Sequence, residues 1–127
     1  MRDASEYLLY VRSLILLDDQ VQHWQIMREE AQGDRGMFRY RLVFFNEDLL
    51  DIFERFVIMN GQATVLRYSY HWQRATQEFV KRWDNAPHYP NLTTDPHHLH
   101  DGNEDHVLAH PPVKITDVLT IIRQLIT

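Results

Sequence analysis

The dipeptide Asn60-Gly61 constrains this chain more than any other feature, because it separates two long runs of strand-forming residues. A type I′ turn needs φ above zero at both central positions. Asn-Gly tolerates that, so the pair closes a two-residue hairpin. The strands it joins read as Asp48–Met59 and Gln62–Arg74, with Met37–Phe45 upstream across Asn46-Glu47. A turn near Ala75-Thr76 returns the chain as Glu78–Asp84. The expectation is an antiparallel meander of four strands, or five if the weakly alternating Val21–Glu30 joins it.

Such a sheet needs a cover for its apolar face, and both ends of the chain supply one. Asp3 and Glu6 have capping-box spacing, and Ala4–Leu17 carries Tyr7, Val11, Leu14 and Ile15 at helical intervals, with Leu8 alongside. Thr116–Ile126 repeats the pattern with Val118, Leu119, Ile122, Leu125 and Ile126. After Asn85, five prolines at 87, 90, 96, 111 and 112 speak against a continuous helix or a central strand. The predicted fold is α+β, one domain over residues 1–127. Its N- and C-terminal helices pack on the apolar face, and a His/Pro-rich loop lies near the polar face.

Composition narrows the setting. An apolar share of 44% suits a packed core, and the absence of cysteine excludes disulfides and thiol chemistry. The longest aliphatic run, Leu14 to Leu17, is far short of a membrane span, and the N-terminal residues read as helix rather than signal sequence. A cytoplasmic address with no membrane partner fits these features. The net charge of −5 is unevenly spread, with −4 over residues 1–34, +3 over 35–82 and −4 over 83–127. A basic middle between acidic flanks fits a local anion site.

Two-residue turns fix register. At Asn60-Gly61 they place Phe56 opposite Val65, Glu54 opposite Arg67 and Leu50 opposite His71. At Asn46-Glu47 they place Arg39 opposite Glu54 and Arg41 opposite Ile52. The core face then carries Phe38, Tyr40, Leu42, Phe44, Phe53, Val57, Leu66, Tyr68, Tyr70, Trp72, Phe79 and Trp83, with Asp51, Arg55 and Lys81 at its rim. The other face gathers Arg39, Arg41, Glu54, Arg67, Ser69, His71, Arg82 and Asp84, alongside Leu50, Ile52, Phe56 and Val65. A solvated Arg/Glu lattice is the plain account of that face, since ion networks often serve structure alone.

Six of the eight histidines follow the sheet, at 88, 97, 98, 100, 106 and 110. Exposed loop histidines often do nothing more than solvate a loop. Their chemical reading needs no cofactor: histidine titrates near neutrality, so one ring takes a proton while another gives one. His71 then acts as base or acid, complemented by His88 or by one of His97, His98 and His100. Arg39, Arg41, Arg67 and Arg82 bind phosphate, and Glu54 orients an arginine or serves as base. This set suits RNA cleavage through the neighbouring 2′-hydroxyl. An alternative is metal-dependent phosphodiester hydrolysis, with Zn or Mn held by the loop histidines and Asp95 or Asp101. A third reading is a non-enzymatic surface that docks a partner.

Three blocks carry a resemblance: Tyr68-Ser69-Tyr70-His71-Trp72-Gln73, then Arg82-Trp83-Asp84-Asn85-Ala86-Pro87-His88-Tyr89-Pro90, then Pro96-His97-His98-Leu99-His100. With their order and both flanking helices, the chain resembles the TumE-type toxins of toxin–antitoxin systems over nearly its whole length. The resemblance implies a small prokaryotic toxin, regarded as a ribonuclease, neutralised by an antitoxin with a helix-turn-helix domain. A homodimer is left open. One departure is Tyr89, where the family commonly has a second histidine after His88.

Overall fold

A computed structural model describes residues 1–126. Helix α1 (Ala4–Leu17) is followed by strands β1 (Val21–Gln32), β2 (Arg35–Phe44), β3 (Leu49–Met59), β4 (Gln62–Gln73), β5 (Phe79–Asp84), β6 (His98–Asp101) and β7 (Val107–Ala109). Helix α2 (Ile115–Ile126) ends the described chain. The strands form one antiparallel sheet in sequential order. The architecture is α+β as predicted, but with seven strands rather than four or five. No helix among the described residues is long and apolar enough to cross a membrane.

Helix α1 begins where its sequence says it should, with the Asp3 carboxylate accepting from the Glu6 N–H at 3.0 Å. Its buried Ala4, Tyr7, Leu8, Val11 and Ile15 join Ile115, Val118, Leu119 and Ile122 of α2 in one cluster with the inner sheet face. The open question of residues 21–30 resolves as an edge strand. Glu29 on β1 pairs with Arg12 of α1 and accepts from Tyr40, which ties that edge to the helix.

The register between β2 and β3 differs from the two-residue expectation. Phe44 N–H donates to Asp48 O at 2.9 Å and Glu47 N–H to Phe44 O at 2.8 Å, so the loop holds three residues, Phe45 to Glu47. Glu47 sits at φ +75°, the left-handed position that ends such loops. One extra loop residue turns every side chain of β3 over. Leu50, Ile52, Glu54, Phe56 and Ile58 are therefore buried on the core face. Phe53 and Val57 lie on the opposite side, and Asp51 and Arg55 join them there.

Phe56 does face Val65, as expected from Asn60-Gly61, but a bulge at Leu66 follows. Beyond it Glu54 pairs with Tyr68, Leu50 with Trp72 and Asp51 with His71, which replaces the predicted Glu54–Arg67 and Leu50–His71 pairs. Arg39 pairs with Phe53 and Arg41 with Asp51, not with Glu54 and Ile52. Leu66 is exposed rather than in the core. A second bulge beside Gln73 swings Phe79 away from the core to pack on the His71 ring, 5.0 Å between centroids.

The segment read as a His/Pro-rich loop is only partly loop. His98–Asp101 pairs with β5 on one side and with β7 on the other, so β6 is an interior strand. Proline excludes a long strand, yet a four-residue strand fits between Pro96 and Pro111 without using either. His-Leu-His alternates as a strand should: Leu99 enters the core beside Trp83, while both histidines face the other way.

Candidate functional site

Two transverse rows of residues cross the face opposite the helices. One runs Arg39, Phe53, Ser69, Asp84, His98, and the other Arg41, Asp51, His71, Arg82, His100. Neighbouring strands stand about 4.8 Å apart, so each row places side chains from successive strands in contact. At the β5–β6 end the rows converge on a pocket of about 280 Å³, lined by Arg67, Ser69, Arg82, Asp84, His88, Tyr89, His98 and His100, among others.

Asp84, His98 and His100 form its floor. All three are buried, and their ligating atoms lie within 4.8 Å of one another. His98 Nε2 is 2.8 Å from Asp84 Oδ1, His100 Nε2 is 3.3 Å from Asp84 Oδ2, and the two Nε2 atoms are 3.1 Å apart. His98 Nδ1 lies 2.9 Å from Pro96 O and His100 Nδ1 2.8 Å from Glu104 O. A carbonyl only accepts, so each Nδ1 carries the proton and each Nε2 points its lone pair inward when the ring is neutral. Tyr89 closes over both rings edge-on, at 4.7 and 5.9 Å between centroids.

The Arg-Trp-Asp-Asn block supplies the frame. Trp83 enters the core, while Arg82 and Asp84 face the pocket. Buried Asn85 ends the strand by accepting from Tyr68 N–H at 2.9 Å and donating to Leu66 O at 3.0 Å, which satisfies the backbone at the β4 bulge.

The predicted site residues separate into three groups. His98, His100, Arg82, Arg67 and His88 come together at the pocket, His88 exposed at its mouth. Arg82 donates to Asp84 at 3.1 Å and to Glu104 at 2.7 Å and reaches His100 at 3.3 Å, so carboxylates already engage it. Arg41 is held by both oxygens of Asp51, at 2.8 and 3.3 Å. Arg39 lies over the Phe53 ring at 5.0 Å.

His71 and His97 stay outside the pocket lining. His71 faces the predicted side, with Nε2 buried and without a hydrogen-bond partner, and burial followed by the Arg82 charge holds its pKa below the usual value. His97 bonds the Tyr68 hydroxyl at 2.8 Å, and burial likewise lowers it. Burial also pushes the Tyr68 hydroxyl up to about 12.

Glu54 is the clear correction. It lies in the core, 1% exposed, accepting from Tyr7 and Tyr70 hydroxyls at 2.6 Å each. Burial raises its pKa while those two bonds pull the other way. It can neither orient an arginine of the polar face nor reach a substrate there. The carboxylates expected beside the histidines also change. Asp101 pairs with Lys81 at 2.6 Å, and neither it nor Asp95 belongs to the trio.

Asp84 and Arg55 were the omissions. Asp84 belongs with the histidines only because His98–Asp101 is a strand paired with β5. Arg55 reaches the polar face only because the β2–β3 loop has three residues. It pairs with Arg67 across β3 and β4, and among the described residues Arg39, Arg55 and Arg67 have no carboxylate partner. Arg67 lines the pocket, Arg55 stands opposite it on β3, and Arg39 stands opposite the pocket-lining Phe53.

A family model described as Toxin TumE matches residues 11–127. No curated protein and no solved structure matches the chain.

Proposed function

We propose that this chain, which belongs to the TumE toxin family and is thereby the toxin of a toxin–antitoxin system, acts by cutting RNA at the Asp84–His98–His100 pocket. Membership implies an antitoxin partner. The sequence resemblance supports a helix-turn-helix type for it. The observation that carries the reading is the buried trio itself. Three ionisable side chains gathered at the floor of an open pocket are costly to bury, and such clusters concentrate at functional sites.

The chemistry follows from the placement. Arg39, Arg55 and Arg67 attract flanking phosphates on a face where no described carboxylate neutralises them. At the scissile phosphate the 2′ oxygen attacks phosphorus, the O2′–P bond forms and the P–O5′ bond breaks. A trio side chain, the Asp84 carboxylate or a bare histidine Nε2, takes the proton of the 2′-hydroxyl as O2′ attacks. His88, exposed at the mouth, delivers a proton to O5′, so the products are a 2′,3′-cyclic phosphate and a 5′-hydroxyl. Arg67 lines the same pocket and meets charge developing on the phosphate oxygens.

The test is incubation of purified protein with a mixed-sequence RNA, followed by analysis of product ends. Cyclic-phosphate ends are expected, with His88→Ala slower by about 10²–10⁴-fold, the usual contribution of a positioned proton donor. RNA left intact at protein levels that arrest cell growth would remove the reading.

A further inference from the structure

We infer that Asp84, His98 and His100 form a binding site for one divalent transition-metal ion, with zinc as the reference. Pro96 O and Glu104 O fix the proton of each ring on Nδ1, so neutral rings aim two bare nitrogens at each other across 3.1 Å. The Asp84 carboxylate adds lone pairs at 2.8 and 3.3 Å. Electron-rich atoms packed this closely require a cation among them.

Three cations are available to such a cluster: a proton on one ring, the Arg82 guanidinium, or a metal. Arg82 meets Asp84 Oδ2 and His100 Nε2 at 3.1 and 3.3 Å, but no bond joins it to His98 Nε2 or Asp84 Oδ1. Its shortest bond runs outward to Glu104 at 2.7 Å. A ring proton on His98 would serve its 2.8 Å contact with Asp84 Oδ1, and Arg82 serves Asp84 Oδ2 and His100, which leaves the 3.1 Å contact between the two Nε2 atoms. A metal serves all of them, and the spacing suits it. With Zn–N bonds of about 2.0–2.1 Å, a tetrahedral angle places two nitrogens about 3.3 Å apart, close to the observed 3.1 Å.

The surroundings match as well. Metal-bound histidines commonly donate the remaining N–H to a backbone carbonyl, which fixes ring orientation, and here both do. Two imidazoles and one carboxylate favour zinc and its first-row neighbours over magnesium or calcium. Three protein ligands leave a coordination position free, and the pocket gives an entry path. In the proposed cleavage the ion would supply positive charge against the attacking oxygen and the phosphate. The inference deepens the reading of that pocket, but its test contains no RNA.

The full chain, stripped with chelator and dialysed, is titrated with zinc in competition with a chromophoric chelator. One ion per chain is expected. Asp84→Asn and His98→Ala should each weaken binding by about 100-fold or more, at least what loss of a supporting group costs. His97→Ala and His106→Ala should leave it unchanged. Absence of saturable zinc binding by the wild type overturns the inference, as does unaltered affinity in the His98→Ala/His100→Ala pair.

If the alanine variants do not fold, the wild type's thermal midpoint must rise with zinc, as ligation to the folded state alone requires. The isosteric Asp84→Asn must abolish that rise, and a wild type without it also overturns the inference. RNA cleavage without metal binding sinks the metal and spares the cleavage. Metal binding without RNA cleavage does the reverse.

Discussion

Glu54→Ala removes a carboxylate that is 1% exposed and accepts hydrogen bonds of 2.6 Å from both Tyr7 and Tyr70. Two buried hydroxyls then lose their acceptor, at about 1–3 kcal/mol each. One methylene leaves the core with the carboxylate, at about 0.8 kcal/mol. Relief of the carboxylate's own desolvation offsets part of this. A net loss of about 3–5 kcal/mol remains, a large share of the roughly 5–15 kcal/mol that stabilises a domain.

Urea unfolding followed by tryptophan fluorescence reads this as a midpoint lower by about 2 M, for a slope near 2 kcal/mol/M. The pH dependence has a definite sign. Because burial raises the folded-state pKa, the folded chain keeps a proton that the unfolded chain releases above the ordinary carboxylate range. Stability from this group is therefore fully present below the unfolded pKa and is lost as pH rises through the folded one. Glu54→Gln lacks that dependence, so the wild type should lose ground against it as pH rises from about 4. RNA cleavage by Glu54→Gln should persist, since residue 54 faces the core. A Glu54→Ala cost below about 1 kcal/mol, or a pH-independent difference from Glu54→Gln, would refute the reasoning.

Arg55→Ala and Arg67→Ala should each weaken RNA binding and lower its salt slope by about 0.7, the value for one single-strand phosphate contact. Filter binding across a salt series reads this, and an unchanged slope removes the arginines from the RNA path. Gly36→Ala would bring a Cβ within 2.5 Å of Phe56 Cζ and 3.0 Å of Glu30 O. A cost of about 1–3 kcal/mol is expected from such overpacking, and an unshifted thermal midpoint would contradict it. His71 is held below its usual pKa by burial and then by Arg82. Its contribution is thus complete above the unfolded value and falls away as pH drops through the folded one. His71→Phe should flatten the urea midpoint between about pH 7 and 5. A midpoint that falls as steeply as in the wild type would count against this burial effect.

What could be read from the sequence was periodic. The helix at 4–17, the four central strands, the Asn60-Gly61 hairpin and the C-terminal helix all follow from apolar spacing and cap chemistry. The placement of His71 and Arg82 opposite Tyr70, Trp72 and Trp83 follows from strand alternation. What escaped was count rather than type. Phe45-Asn46-Glu47 carries no glycine, so nothing in its composition announces a left-handed third residue, yet that residue decides which face receives Glu54 and Arg55. The Leu66 bulge is equally silent, because Asn85, which hydrogen-bonds its backbone, lies nineteen residues away. Strands β6 and β7 hold four and three residues between prolines, too few for a period-two signal to stand out. The histidines were visible for their number, but their partner Asp84 depended on a pairing that no local pattern displays.

The position of β6 also bears on how the protein is made. Asp84 reaches the sheet with β5, but its two histidine neighbours arrive only when residues 98–101 have been added and have paired with that strand. Chains fold from the N-terminus as they emerge, so helix α1 and strands β1 to β4 can settle before the pocket has a floor. A nascent toxin on its ribosome has no assembled trio until His100 is in place. Synthesis itself therefore delays completion of the pocket until nearly the whole sheet has been made.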